Sequence, residues 1–305
     1  MLALLLSACA SPQLSALRAA PPPDLPAVAE VQGVPFFPQE DYQCGPAALA
    51  MVAQFAGVRA TPESLKSEVY LPARQGSLQI EMLAAARRQG LLAVTLPPAL
   101  PALLRQVAAG QPVVVLQNLS LPFAPLWHYA VVIGYDLPSQ TLRLHSGLNE
   151  RLEMPLSTFE HTWARGQHWA MVALPPHTVP AGMEPQAWLR AAAALEPVQP
   201  EAAHQAYASA SRVWPMEPAA WLGLGNTHYR QGRLQEAAQA FEAATRTLPG
   251  FADAWNNLAQ VRFEQTRWED AAQAIARAVA LGGPRLPQYL QLQRQVQARQ
   301  AALSR

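Results

Sequence analysis

Cysteine is nearly absent: the 305 residues hold two, Cys9 and Cys44. A disulfide framework and four-cysteine zinc or iron–sulfur sites are thereby excluded. Charge is scarce as well. Only 14% of residues are charged, 22 basic against 21 acidic for a net charge of +1, and Lys66 is the one lysine. The arginines are scattered, with no basic stripe for a polyanion, so nucleic acid is not an expected partner. The apolar run Leu2–Leu6 falls far short of the about 20 residues that span a bilayer. No HExxH, Walker loop or G-x-S-x-G elbow occurs, and Gly223-Leu-Gly225 lacks the rest of a dinucleotide fingerprint. No metal or organic cofactor is therefore expected. What remains is a chain that is 50% hydrophobic, enough for real cores. Its length suits about two domains.

The two cysteines lie in different contexts. After Leu2–Leu6 comes Leu6-Ser7-Ala8-Cys9. This resembles the lipobox of bacterial lipoproteins, which implies a signal peptide over 1–8 and acylation of Cys9. Ala10 after the cysteine, rather than Asp, resembles outer-membrane sorting. The expected location is the periplasmic face of the outer membrane in a bacterial cell envelope, with the membrane touched by the lipid anchor alone. Residues 9–30 carry Pro12, Pro21, Pro22, Pro23 and Pro26 and read as an extended tether.

From Val31 the texture changes. Pro46 suits a first helical turn, apolar residues recur from Ala48 to Phe55, and Gly57 is a stop, so Cys44 falls at a helix N-terminus. There the unpaired amides and the dipole favour the thiolate, the form that attacks carbonyls. Helices are expected at 62–70 with Thr61 as N-cap, at 78–89 with Ser77 as N-cap, and at 101–109. Strands are expected at Leu92–Leu96, Pro112–Leu119, His128–Asp136, Thr141–Ser146, Arg151–Pro155 and His168–Leu174, with a short helix at Ser157–Trp163. Helices first and antiparallel strands after them make an α+β domain over 31–175. His128 opens a strand on which Ala130, Val132 and Gly134 would share its face.

Cysteine on an early helix and histidine opening a later hairpin is the order of papain-like thiol enzymes. Gln39…Cys44-Gly-Pro-Ala-Ala-Leu-Ala-Met with His128-Tyr-Ala-Val-Val more specifically resembles the bacteriocin-processing, double-glycine-type cysteine peptidases and their stand-alone relatives. The resemblance implies a Cys44 nucleophile, His128 as general base and then acid, and Gln39 as oxyanion donor beside the Cys44 N–H. Two departures stand out. Gln43 occupies the family's Asp position before the cysteine, and Gln39 lies five residues ahead of Cys44 where the family has six; Gln43 is the rival donor. The family's Asp-Pro, which orients the imidazole, is replaced at the matching strand end by Ser146-Gly147. Asn149 is the second candidate for that role, and Asp136 is a poor one, about 25 Å along the strand of His128. The other histidines, 145, 161, 168, 177, 204 and 228, read as surface or packing residues.

Pro175–Pro185 includes a linker, 176–183. Beyond it a period of 34 appears: Ala203, Tyr207, Ala210, Pro215; Ala237, Phe241, Ala244, Pro249; Ala271, Ile275, Ala278. This resembles the tetratricopeptide repeat: three units over 184–285, the first degenerate, and a capping helix over 286–305, in an all-α solenoid. Arg212, Arg230, Arg233, Arg246 and Arg262 are candidates for acidic or carboxylate recognition, or an ordinary solvated face. The expectation is an exported, lipid-anchored cysteine peptidase acting on a peptide or protein substrate, with repeats that bind a protein partner. The alternatives are a non-catalytic peptidase-fold adaptor, or an amidase or transpeptidase acting on cell-wall peptides.

Overall fold

In the computed structural model, residues 11–39 and 43–303 are described. Cys9 and the lipobox lie outside the described residues. The chain divides into two compact units, 1–187 and 188–305.

The first unit is built on one antiparallel sheet. Its strands are β1 (Val28–Glu30), β2 (Leu92–Thr95), β3 (Val113–Asn118), β4 (Trp127–Asp136), β5 (Thr141–Ser146), β6 (Asn149–Pro155) and β7 (Ala170–Leu174), in the order β2-β7-β3-β4-β5-β6. β4 is the long central strand. β3 pairs with its first half, Trp127–Val132, and β1 with its end, Gly134–Asp136, where β3 has run out. β2, β3, β4 and β7 are buried almost throughout, as Val-, Leu- and Ala-rich runs covered on both faces must be. A register shift between Val132 and Gly134 marks a bulge, so the alternation that starts at His128 stops at Val132 and Gly134 does not continue its face.

α2 (Cys44–Phe55) is apolar on every side, and Gly45–Ala53 are all buried. A helix without a polar stripe belongs inside a core, and this one packs against α3 (Pro62–Val69) and β4. α3 is capped as expected, by a reciprocal Thr61–Ser64 pair. α4 (Gln79–Arg88) departs from expectation: Leu78, not Ser77, is its N-cap, with no side-chain cap. Ser77 is drawn instead over α2, where a Cβ on Gly45 would lie 2.2 Å from its Oγ. Glycine at 45 is what permits that approach. α5 (Leu100–Ala108) and α6 (Leu156–Arg165) complete the helices around the sheet.

The extended tether expected over 9–30 is not what forms. Residues Pro12–Ala19 are a helix, α1, with Leu14 and Leu17 buried, and Val28–Glu30 join the sheet as β1. Pro12 sits in the first helical turn, where its missing N–H costs nothing. The next amides, Gln13 N–H and Leu14 N–H, each donate to the buried Glu160 carboxylate of α6 at 2.8 Å. A carboxylate from a distant helix thus supplies the cap that Ser11 does not.

The second unit is built of helices: α7 (Pro185–Leu195) and α8 (Pro200–Val213), joined by Trp188 Nε1 donating to Ala206 O, α9 (Pro218–Arg230) packed with α10 (Leu234–Thr247), α11 (Ala252–Glu264) packed with α12 (Trp268–Leu281), then α13 (Leu286–Leu303). The period recurs in its contacts. Trp221 Nε1 donates to Pro215 O and, 34 residues on, Trp255 Nε1 donates to Pro249 O. Gly223 lies under the ring of Tyr207 and Gly225 under that of Phe241, each so close that a Cβ would fall within 2.4 Å of ring carbon. Small residues bring the helices together, as the spacing predicts.

Candidate active site

Cys44 is the first residue of α2, and among the described residues no side chain caps that N-terminus. Unpaired amides there pull the thiol toward ionisation, but the surroundings pull harder the other way. Burial pushes the Cys44 thiol above its ordinary value, against backbone N–H groups of Tyr129, Gly45 and Cys44 itself that favour the thiolate. The Tyr129 amide places the sulfur beside the start of β4. The Tyr129 phenol is pushed up by burial and by the nearby Cys44, and its O–H donates to Ser77 O at 3.2 Å. The Ser77 Oγ is buried with no hydrogen-bond partner among the described residues.

His128 is the second residue of β4, opposite Gln117 on β3. Its Nε2 lies 2.9 Å from Ser146 Oγ, at the end of β5. Burial lowers the imidazole to about 4, with no carboxylate among the described residues to oppose it. Ser146 is itself buried and closes a hairpin with Asn149 as its partner across the turn. Gly147 takes φ +59° at the first central position of that two-residue turn, a conformation glycine adopts without strain. Asn149 is exposed at the start of β6, while Ser146 holds the hydrogen bond to His128. Asp136 sits at the far end of β4 and accepts from Ser139 N–H in the next turn.

Gln39 is drawn into the same corner. Its backbone N–H donates to Gly147 O, its Oε1 accepts from Gly147 N–H, both at 3.0 Å, and its Nε2 donates to Tyr129 O at 3.3 Å. It therefore ties the Ser146-Gly147 turn to the strand of His128. Gln43, the rival donor, is the N-cap residue of α2. The structure thus gathers Cys44, His128, Ser146 and Gln39 at one end of the sheet. Tyr129 and Ser77 join them without having been site candidates in the sequence, where Ser77 was expected only as an N-cap. The His128-Tyr129 pair was visible there, but not that the tyrosine amide and phenol would flank the thiol.

The remaining histidines of this unit have other employment. His145 is buried beneath β6 between Val34 O and Glu150 O, with Phe36 at 5.3 Å. His168 meets the Trp163 ring edge-on at 4.8 Å. Among the described residues no cluster of three His, Cys, Asp or Glu side chains is placed to hold a metal ion, and no helix is long and apolar enough to cross a membrane.

Comparison with known proteins follows the same division. Residues 31–171 match the Peptidase_C39 like family, and residues 189–250 and 228–296 match tetratricopeptide repeat models. No curated protein matched. Among solved structures, a protein from Bacillus anthracis described as a C39-like peptidase is 21% identical, covering 48% of this chain and 97% of its own, with a TM-score of 0.40. The Sgt2 repeat domain from Aspergillus fumigatus is 20% identical over 38% of this chain and 82% of its own, at a TM-score of 0.35. The first repeat domain of Spaghetti (RPAP3), solved with an HSP90 peptide, is 14% identical over 38% and 93%, at 0.36. This chain carries a Peptidase_C39-like domain over residues 31–171, followed by tetratricopeptide repeats.

Proposed function

We propose that the chain is an exported, lipid-anchored cysteine peptidase whose repeats engage a protein or peptide partner. The observation that supports catalysis is the bond from His128 Nε2 to Ser146 Oγ, made at the sheet end where Cys44 lies against Tyr129. With Nε2–H donating to the serine, Nδ1 is left as the base. It takes the Cys44 proton as sulfur attacks the scissile carbonyl carbon. The oxyanion receives the Cys44 N–H and the second Nε2 proton of Gln39, whose first is held by Tyr129 O. The C–N bond then breaks, Nδ1 returns its proton to the leaving amine, and water, deprotonated by the same nitrogen, hydrolyses the thioester. Hydrolysis of a peptide library read by mass spectrometry tests this. Cys44→Ala and His128→Ala should each lower the rate by at least a hundredfold; cleavage unchanged in Cys44→Ala excludes the mechanism.

A second reading, a non-catalytic adaptor, is favoured by one observation. Burial raises the thiol and lowers the imidazole, so the resting pair is neutral, not a thiolate–imidazolium. The two readings part on iodoacetamide labelling of Cys44. An enzyme requires alkylation that slows in His128→Ala, whereas equal and slow alkylation in both across neutral pH supports the adaptor.

A further inference from the structure

Apolar side chains are left in the open at one end of the peptidase-like sheet. The loop from β3 to β4, residues 119–127, carries no charged residue, and Ser120 and the Trp127 indole are its only polar side chains. Phe123 at its tip is 83% exposed, and Leu121, Leu126 and Trp127 are each more than half exposed. The hairpin from β5 to β6 turns at the same end of the sheet and adds Leu148, 75% exposed. Apolar residues scattered singly over a surface need no explanation, but five on two neighbouring hairpins do.

The loop's backbone is tied up from within. The buried Asn118 organises it: Oδ1 accepts from Ser120 N–H at 3.0 Å and from Leu126 N–H at 2.9 Å. Leu119 N–H donates to Leu126 O at 2.9 Å and Ala124 N–H to Leu121 O at 3.1 Å, while Pro122 and Pro125 have no N–H to satisfy. Each group bonded internally lowers the cost of leaving water. A ring as exposed as that of Phe123 has no protein wall around it, so the loop is a projection and its partner must supply the surroundings. A bilayer does so, and its interface favours Trp, Phe and Leu. The segment next to Cys9 lies on the same side. Ser11 Oγ is 3.4 Å from His161 Nε2 of α6, and one helical turn on, Arg165 Nε donates at 3.0 Å to Asn118 O, the root of the loop.

We propose that the β3–β4 loop, with Leu148 beside it, is a second membrane contact that dips Phe123, Leu126 and Trp127 into the lipid interface; its orientation rests on the anchored reading of Cys9. His128 follows Trp127 directly, so the seated loop holds the corner of His128 and Ser146 at the bilayer surface. The contact is apolar, and its strength is indifferent to lipid charge and to salt.

The test uses the full chain with Cys9→Ser, which carries no acyl group, and sedimentation with vesicles of phosphatidylcholine alone or with about one-third phosphatidylglycerol. The partition coefficient should agree within twofold on both, from 50 to 500 mM NaCl. Phe123→Ser combined with Leu126→Ser should lower it at least fivefold at an unchanged melting temperature. Met216→Ser, at a similarly exposed apolar residue of the repeats, should change nothing. Brominated phosphatidylcholine should quench the emission of this chain more than that of its Trp127→Phe variant. No binding to either vesicle, binding that needs anionic lipid and disappears at high salt, or binding that the double variant leaves intact overturns the inference. A double variant that raises KM for peptides while binding vesicles as before overturns it too, and makes the loop a substrate surface. Palmitate labelling of the wild type against Cys9→Ser tests the anchor separately: no label on either removes the anchor, while loop-dependent vesicle binding still upholds the loop.

Discussion

The two units use the same poor supply of charge in opposite ways. In the peptidase-like unit, polar contacts join groups far apart in sequence: Gln39 meets Gly147 in the buried corner of His128, and elsewhere α1 is capped by Glu160. In the repeat unit, polar contacts join residues about one repeat apart, such as Arg230 with Glu196, Asn257 with Asn226 and Tyr229 with Glu264. The first arrangement makes a single site from singular contacts. The second distributes similar contacts along a stack in which each pair depends mainly on its neighbours. The difference teaches where one substitution matters most.

Acid should expose that difference most strongly. His128 is held near 4 by burial, against 6.5 for an ordinary imidazole, so the unfolded chain binds more protons in between. Stability from this group is complete above pH 6.5 and is lost as pH falls toward 4, on the order of 3 kcal/mol. His145 in the same unit, and His204 and His228 in the repeats, are also lowered by burial and act in the same direction. Hydrogen exchange from pH 7.5 to 4.5, resolved by segment, should show protection around β4 and β5 falling most, and a His128→Gln variant should flatten that fall. Protection that holds or rises in the β4–β5 segments on acidification would contradict the buried neutral imidazole.

Overpacking one repeat interface comes next. Gly225→Val would drive its side chain into Phe241, since a Cβ at position 225 would lie 2.4 Å from a carbon of that ring, and should cost about 2 kcal/mol. Exchange protection should drop in α9 and α10, while alkylation of Cys44 stays at the wild-type rate. Loss spread evenly across the whole chain would break the contrast between singular and distributed contacts.

The smallest effect expected is at the orienting residue. Ser146→Ala removes the partner of His128 Nε2 and should lower peptide hydrolysis about tenfold, the equivalent of ~1.4 kcal/mol, with the melting temperature nearly unchanged. Ser146→Asp restores a charged partner and should move the acid limb of the rate profile to higher pH, because a carboxylate raises the imidazole. An unmoved profile would assign Ser146 a packing role only.

Much of this was legible in the residues. Strand β5 forms as expected at Thr141–Ser146, and counting its alternation put Ser146 where the imidazole needs a partner. Period 34 marked the repeats because local spacing alone generates their contacts. What escaped depended on partners distant in sequence. Residues 12–19 look like a tether until Glu160 is known to face their first amides. Ser77 looks like an N-cap until Gly45 opens space for it over α2. The bond from Asn257 to Asn226 joins neighbouring repeats 31 residues apart, and no count of Asn predicts it.

The docking of α1 has a further consequence for reach. An unstructured stretch from Cys9 to Glu30 would let an anchored domain range about 70 Å from its lipid. With α1 seated from Pro12, only Ala10 and Ser11 stand between the proposed acyl cysteine and a helix fixed to the domain. Two residues extend about 7 Å. If the proposed anchor and activity hold, an enzyme on so short a leash would work on chains that pass close to the bilayer surface, and a twenty-residue Gly/Ser insertion after Ser11 would extend its range to more remote substrates.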